Sequence, residues 1–549
     1  MRMNCLRWSF LCAFFCLGVV IRAHGQLDTA MIRRVDAIFS PWDKTDGPGC
    51  ALAILKDGRI LYERGYGMAN LEYNLAITPK SLFHVASISK QFTAAAIQKL
   101  VQEGKLSLHD DIRKFIPELP DFGHGITVAN LMHHTSGLRD QWDLQGMAGW
   151  RDDDVITEDD IMDMVKRQRA LNFIPGDDYL YCNTGFTLLG IIVKRVTGLP
   201  LRKYADSVFF KPLGMTSTVF HSDHSEIVVG RTSAYRETED HHWAISIPVF
   251  DNYGATSLFT TVEDLAKWDE NFYTHKVGGD GFIKALLEPG VLNDGEQQTY
   301  ASGLGLGDYR GNHFVDHTGA DAGYRADFLR FPDRHFSVIV LANLADINPS
   351  RLCRQVASLF LPPWSGDVLT VHLLDSAVAR RWAGQYFDEV TKTQAEISFT
   401  PVGGFPNAIL KNYGGELQTV SDSSFVDNGG AQYIFNDAGL SIHRAGMRDR
   451  HLRKVVPAKP SPSALAEYAG TYHSDELAVD FVFYVKDSVL MIQTPRYAPM
   501  ELSPYGRDMF MGNFLVEFVR GKHGRFMGMK ASTGRSWNLW FSLVAAKKG

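Results

Sequence analysis

Cysteine is scarce in this chain and badly placed for cross-linking. Of six cysteines in 549 residues, Cys5, Cys12 and Cys16 fall in the first 25 positions, leaving Cys50, Cys182 and Cys353. An odd count scattered this widely is not a disulfide framework; it allows at most one bridge, and no zinc-type spacing is present. A basic stripe is also missing. With 56 Lys+Arg against 62 Asp+Glu, the net charge is −6, which argues against nucleic acid as a partner. The glycines of Gly303-Leu304-Gly305-Leu306-Gly307 are followed by no Lys-Ser or Lys-Thr, so they read as turn or close-packing positions and not as a phosphate cradle. The apolar stretch 8–21 is too short for a comfortable transmembrane span. With Arg2 and Arg7 ahead of it and Ala23-His24-Gly25 behind, it reads as a signal peptide over 1–25, an uncleaved anchor being the alternative. The expected location is periplasmic or secreted, with no stable membrane span after cleavage.

The composition that remains, 45% hydrophobic and 21% charged, is that of a soluble globular protein, and the length implies two to four domains. Residues 27–362 alternate strand-like and helix-like runs. Ala51-Leu52-Ala53-Ile54-Leu55 and Ile60-Leu61-Tyr62 flank an Asp57-Gly58 turn and predict a hairpin. Helical periodicity follows at 87–103, 158–168, 184–196 and 262–272, the last opened by Thr261-Val262-Glu263-Asp264, which has the form of a capping box with Asp in place of Glu. Strand-like runs return at 324–331 and 336–343. Sheet ends around a helical middle predict one α/β (α+β) domain with an antiparallel sheet and a helical subdomain.

Residues 361–366 read as a linker. Beyond them short strands and turns dominate, and Trp382-Ala383-Gly384-Gln385-Tyr386 resembles Tyr468-Ala469-Gly470-Thr471-Tyr472. Hairpin patterns at 433–442 and 481–492 fall one in each half. Two small all-β barrel-like domains are therefore expected, at 366–456 and 463–549.

The chemistry is concentrated in three elements. Ser87-Ile88-Ser89-Lys90, which follows the strand-like run Ser81-Leu82-Phe83-His84-Val85-Ala86, is the one place where a serine precedes a lysine by three residues, and at helical spacing the two side chains share a face. A serine hydroxyl is a poor nucleophile until a neighbouring base takes its proton. The second element is Tyr181-Cys182-Asn183; the third is His317-Thr318-Gly319, just ahead of a strand. Taken singly, each has a plain structural explanation: Ser87 a cap, Tyr181 a core aromatic, Asn183 a helix cap, His317 an edge residue. The pair His133-His134 reads as a loop packed beside the site, and His221, Asp223, His224, His241 and His242 as a solvated loop, with no metal.

Taken together, and with Leu131-Met132-His133-His134-Thr135-Ser136-Gly137-Leu138, Lys211-Pro212-Leu213-Gly214-Met215 and Gly254-Ala255-Thr256-Ser257-Leu258, the motifs resemble those of the penicillin-recognising serine hydrolases. That family includes class C β-lactamases, D-alanyl-D-alanine carboxypeptidases, D-aminopeptidases and related esterases. The resemblance covers about 30–360; the last two units resemble the lipocalin-like barrels of some D-aminopeptidase relatives. It implies Ser87 as acylated nucleophile, Lys90 as base, Tyr181 as second proton carrier, Asn183 as orienting amide, the backbone N–H groups of Ser87 and Ala320 as oxyanion hole, and His317, Thr318 and Gly319 as substrate-binding, with no cofactor. β-Lactamases carry lysine where this chain has His317. A mostly neutral histidine captures a carboxylate less well. Histidine there is similar to D-aminopeptidase and esterase members and suggests a substrate with a free amine, an ester or a neutral amide end. The resemblance implies small peptides, amides or esters, those with D-amino acids among them. A β-lactamase, and a non-enzymatic protein binding through its barrels, are the alternatives.

Overall fold

The computed structural model describes residues 27–363, 372, 374–402, 405–410, 415–427 and 430–544; the expected signal segment and residues 364–366 of the expected linker lie outside them. A six-stranded antiparallel sheet runs in the order Gly305–Tyr309, Asn312–Asp321, Tyr324–Phe331, Phe336–Ala342, Cys50–Lys56, Arg59–Tyr66. Both ends of the domain thus meet at its centre. The first hairpin turns at Asp57 (φ 50°) and Gly58 (φ 73°), the two left-handed residues that a tight two-residue hairpin requires. Alternation along Cys50–Lys56 sorts the core. Ala51, Ala53 and Leu55 face the helical subdomain, while Cys50, Leu52 and Ile54 face the helices Thr29–Phe39 and Pro349–Phe360.

The helical subdomain is built around Ser89–Gln102 and Asn183–Thr197, both almost wholly buried and packed on each other. Asn183–Thr197, apolar on nearly all sides, belongs in an interior, and the two helices carry their first residues to the sheet edge. Three local expectations are corrected. Only Phe83–His84 of the run before Ser87 is strand; a 3-10 turn, Ala86–Ile88, takes over. Thr261 does cap its helix through the Asp264 N–H at 3.1 Å, but Asp264 does not return the bond: its carboxylate instead accepts from Ser217, Thr218 and Lys267. His221 is buried against Phe259, because the chain there pairs with the strand Leu258–Thr260.

After the linker come two closed eight-stranded barrels, within 384–455 and 470–543. The repeated segments have one geometry. Gly384 (φ 137°) and Gly470 (φ 155°) bend the chain out of a short helix, and the tyrosine two residues on donates back to the carbonyl four residues earlier, Tyr386 to Trp382 at 2.8 Å and Tyr472 to Tyr468 at 3.2 Å. The interiors are packed with side chains, Tyr386, Phe425, Tyr433 and Phe435 in one and Phe481, Phe483, Phe518 and Phe541 in the other.

The second barrel is not a loose appendage. Leu144, Met147 and Met164 of the helical subdomain belong to the same apolar cluster as its core, and Arg139 forms a buried ion pair with Glu476. Removing one partner of such a pair costs about 3–5 kcal/mol. The first barrel reaches the subdomain through Arg450, which grips Asp178 at 2.7 and 3.1 Å. Cys50, Cys182 and Cys353 are buried free thiols. Among the described residues, no single helix is long and apolar enough to cross a membrane.

Candidate active site

Ser87 sits half-buried on the 3-10 turn that opens the helix Ser89–Gln102. Ala86 before it has φ 47°, a left-handed conformation that costs a non-glycine residue about 1 kcal/mol or more and turns the serine out of the chain's path. The Ala86 N–H donates to His84 Nδ1 at 3.2 Å, and burial holds His84 near a pKa of about 3, so that nitrogen stays an acceptor.

One helical turn on, Lys90 is fully buried. Its Nζ has three neighbours: Ser87 Oγ at 3.0 Å, Asn183 Oδ1 at 2.9 Å and the Ala255 carbonyl at 2.7 Å. Two of these are obligate acceptors. A neutral amine has two N–H donors for them and one lone pair, which then points at the serine hydroxyl. Burial is the main force that brings Lys90 down to a pKa of about 7; Asp140 and Asp321 oppose it and Arg535 adds to it.

Asn183 is the first residue of its helix, and Asp140 fixes which way its amide faces. Asp140 Oδ2 accepts from the Asn183 N–H at 2.6 Å and from Nδ2 at 2.9 Å, leaving Oδ1 for Lys90. Tyr181 lies beside Ser87, and its ring is 4.9 Å from Lys90 Nζ. Burial pushes its phenol above the ordinary tyrosine range, so it holds its proton near neutrality. His134 positions this segment: its carbonyl accepts from Leu180 N–H at 2.9 Å, its Nδ1 from Cys182 N–H at 3.0 Å, and its ring packs on Tyr181 at 4.3 Å.

The sheet closes the site with an open edge. Gly305–Tyr309 pairs with the next strand only as far as Asp316, so the edge from His317 to Asp321 is free of that neighbour, and it runs past the 3-10 turn Ala86–Ile88 that carries Ser87. Gly319 makes the approach possible: a Cβ there would lie 2.2 Å from the Val85 carbonyl oxygen and 3.3 Å from Ala86 Cβ. Thr318 and Ala320 alternate outward and are exposed. His317 points inward. Its Nδ1 donates to the Thr318 carbonyl at 2.7 Å, so Nε2 accepts from the Tyr300 hydroxyl at 2.9 Å. Burial, then Lys90, lowers its pKa to about 3, which leaves it neutral. Asp321, bonded by Thr256 at 2.6 Å, is raised by burial to about 6.

Gly319→Ala is expected to push this edge off the Ser87 turn. A displacement near 1 Å slows reaction by about 10²-fold, at a stability cost of about 1–3 kcal/mol. The rate of labelling by a fluorophosphonate probe checks this; an unchanged rate contradicts it.

The structure therefore brings together Ser87, Lys90, Tyr181 and Asn183, and sets His317, Thr318, Gly319 and Ala320 alongside. Sequence reasoning missed Asp140, Tyr300, Asp321 and Arg535. Asp140 left one local signal, as the N-cap of Gln141–Met147; Asp321 stands two residues after the third motif. Outside the site, His224 and Asp251 pair with each other at 3.0 Å beside Asp223.

The protein family described as Beta-lactamase matches residues 34–356. The D-aminopeptidase of Gluconobacter oxydans is 28% identical over 435 residues, 78% of this chain and 80% of that protein. The D-aminopeptidase of Brucella ovis is 24% identical over 79% and 81% respectively. Among solved structures, the octameric penicillin-binding protein homologue from Pyrococcus abyssi covers 86% of this chain and 99% of its own, with a TM-score of 0.55 and 21% identity. The penicillin binding protein from Bacillus halodurans covers 59% of this chain, with a TM-score of 0.51 and 24% identity. At these identities the two structures speak for the fold alone.

Proposed function

The chain belongs to the Beta-lactamase family and is a serine hydrolase of the β-lactamase-related, D-aminopeptidase-like type; we propose that it works through an acyl-enzyme on small peptides, amides or esters with a D-amino acid on the acyl side. The observation that carries this reading is the triple contact of Lys90, two acceptors and one hydroxyl around one nitrogen.

In this reading Ser87 Oγ bonds to the substrate carbonyl carbon as its proton passes to the Lys90 lone pair. The oxygen that becomes negative is met by the backbone N–H groups of Ser87 and Ala320, each typically worth a few kcal/mol. The C–N or C–O bond then breaks. Tyr181, still protonated, donates to the departing nitrogen or oxygen and is reprotonated from Lys90. Water reverses the sequence: its proton goes to the Tyr181–Lys90 pair, its oxygen bonds to the acyl carbon, and Ser87 recovers its hydrogen.

The substrate class rests on charge. Neutral His317, its Nε2 occupied by Tyr300, is a poor partner for a carboxylate. Asp321 offers a carboxylate in the field of Lys90, which suits a substrate ammonium. The D-aminopeptidase relatives support the same class. A periplasmic or secreted location belongs to the proposal through residues 1–25.

The test is a side-by-side assay of the mature chain on D- and L-aminoacyl amides, simple esters and nitrocefin. Turnover of D-aminoacyl amides well above the L-forms, with slow or absent nitrocefin hydrolysis, is expected. Efficient nitrocefin turnover overturns the reading of His317, and indifference to the α-amine overturns that of Asp321.

A further inference from the structure

We propose that Arg535, carried by the second barrel, is a positioning residue of the hydrolase site: it holds Asp140, and through Asp140 it sets Asn183 and Lys90 for the reaction. The inference rests on the proposed role of Lys90 as base.

The loop between the strands Phe526–Ser532 and Leu539–Leu543 lies against the wall of the site. Its docking is largely backbone work. The Arg535 N–H donates to Asp143 at 2.8 Å, the Arg535 carbonyl accepts from Asn172 Nδ2 at 3.0 Å, and the Trp537 N–H donates to Asn172 Oδ1 at 2.8 Å. The Arg535 guanidinium is left to do something else. Its Nη1 stands 3.6 Å from Asp140 Oδ2, and its Nη2 3.8 Å from Asp143. That Oδ2 is the atom that grips both nitrogens of Asn183, and Asn183 Oδ1 in turn holds Lys90. Four links join a barrel loop to the nucleophile. Asp140 is wholly buried, so without a cation it would be a carboxylate facing the base it helps to place.

The charges around Lys90 show what Arg535 adds. Lys90 is faced by Asp140, by Asp321 from the sheet edge, by Tyr181 and Cys182 from the start of Asn183–Thr197, by His134 and His317, and by Arg535. His134 and His317 are driven low by burial and are neutral near pH 7; Cys182 and Tyr181 are driven high by burial and are neutral as well. Among these groups, Arg535 is the permanent cation. Removing it takes away a repulsion felt by the Lys90 ammonium and frees Asp140 to attract that ammonium more strongly. Both changes favour the protonated lysine.

The test titrates Lys90 itself, by competitive labelling with acetic anhydride and mass spectrometry across pH 5–10, in the full chain and without substrate. Arg535→Gln is expected to move the Lys90 midpoint up by roughly half to one unit and to slow Ser87 labelling at pH 7 several-fold. Arg535→Lys keeps the charge and should restore most of both. Because the loop is docked by its backbone, it should stay in place in both variants; Arg535→Lys should melt close to the native chain, and Arg535→Gln somewhat lower because Asp140 loses its cation. A midpoint that stays put in Arg535→Gln, or moves equally in Arg535→Lys, overturns the proposal. A midpoint that moves in a chain with no hydrolase activity counts against the proposed function and leaves the positioning role supported.

Discussion

Ser87→Ala is expected to abolish covalent labelling by a fluorophosphonate probe and to lower hydrolysis of every substrate the native chain accepts by about 10⁴-fold or more. The effect should be that large if the proposed acyl-enzyme forms on Ser87, because its neighbours are poor substitutes: the Tyr181 phenol is held above the ordinary tyrosine range by burial, and Lys90 would give an amide that water does not readily cleave. The fold should hardly notice. Ser87 is on a 3-10 turn whose awkward residue is Ala86, not Ser87, and alanine is accepted there without strain. The loss is the hydrogen bond to Lys90, worth about 1 kcal/mol net. Intact-mass measurement gives the answer directly. An adduct that persists on the Ala variant removes Ser87 from the role of nucleophile.

The readable part of this site was the part written locally. Ser87 and Lys90 meet because helical spacing puts residues three apart on one face, and no tertiary information is needed to see it. Tyr181 and Asn183 are two residues apart, and His317 reads as just ahead of the strand Tyr324–Phe331, although the strand that carries it, Asn312–Asp321, went unread. The sheet was legible for the same reason, from the Asp57-Gly58 turn and the runs at 324–331 and 336–343. What escaped was supplied across the chain. Asp140 orients Asn183 from 43 residues away and is itself met by Ser536, 396 residues on. Tyr300 completes His317 from a stretch with no regular pattern. Periodicity says nothing about such meetings, because it reports which face of an element is apolar and not what that face will touch.

The barrels illustrate the same divide. Their hairpins and the repeated Gly-x-Tyr corner were visible as patterns. Their place against the catalytic wall was not. Arg139 and Glu476, Arg450 and Asp178 are each one charge among many in the sequence, and only burial makes them pairs. The overstatements were local too. A run from Ser81 to Ala86 looks like strand because most of its residues are apolar, yet only Phe83–His84 is strand and the 3-10 turn at Ser87 claims its last residue.

Lys90→Met separates the chemistry from the fold more sharply than any other single change. Methionine is close to lysine in length, apolar, and adaptable enough to fill the same channel. It relieves the desolvation of a buried amine but leaves the Asn183 amide oxygen and the Ala255 carbonyl without their donor. These opposed terms are each a few kcal/mol, so the melting temperature should shift by only a few degrees. Activity should fall by about 10³-fold or more, since Ser87 loses the acceptor for its proton while Tyr181 keeps its own. The native enzyme should gain activity as pH rises through about 7, because the required amine is the unprotonated form and its pKa is about 7. Loss of that limb in the Met variant, with the fold intact by circular dichroism, ties the limb to Lys90. A limb that survives the substitution assigns the proton to another group and leaves the buried lysine with an architectural role.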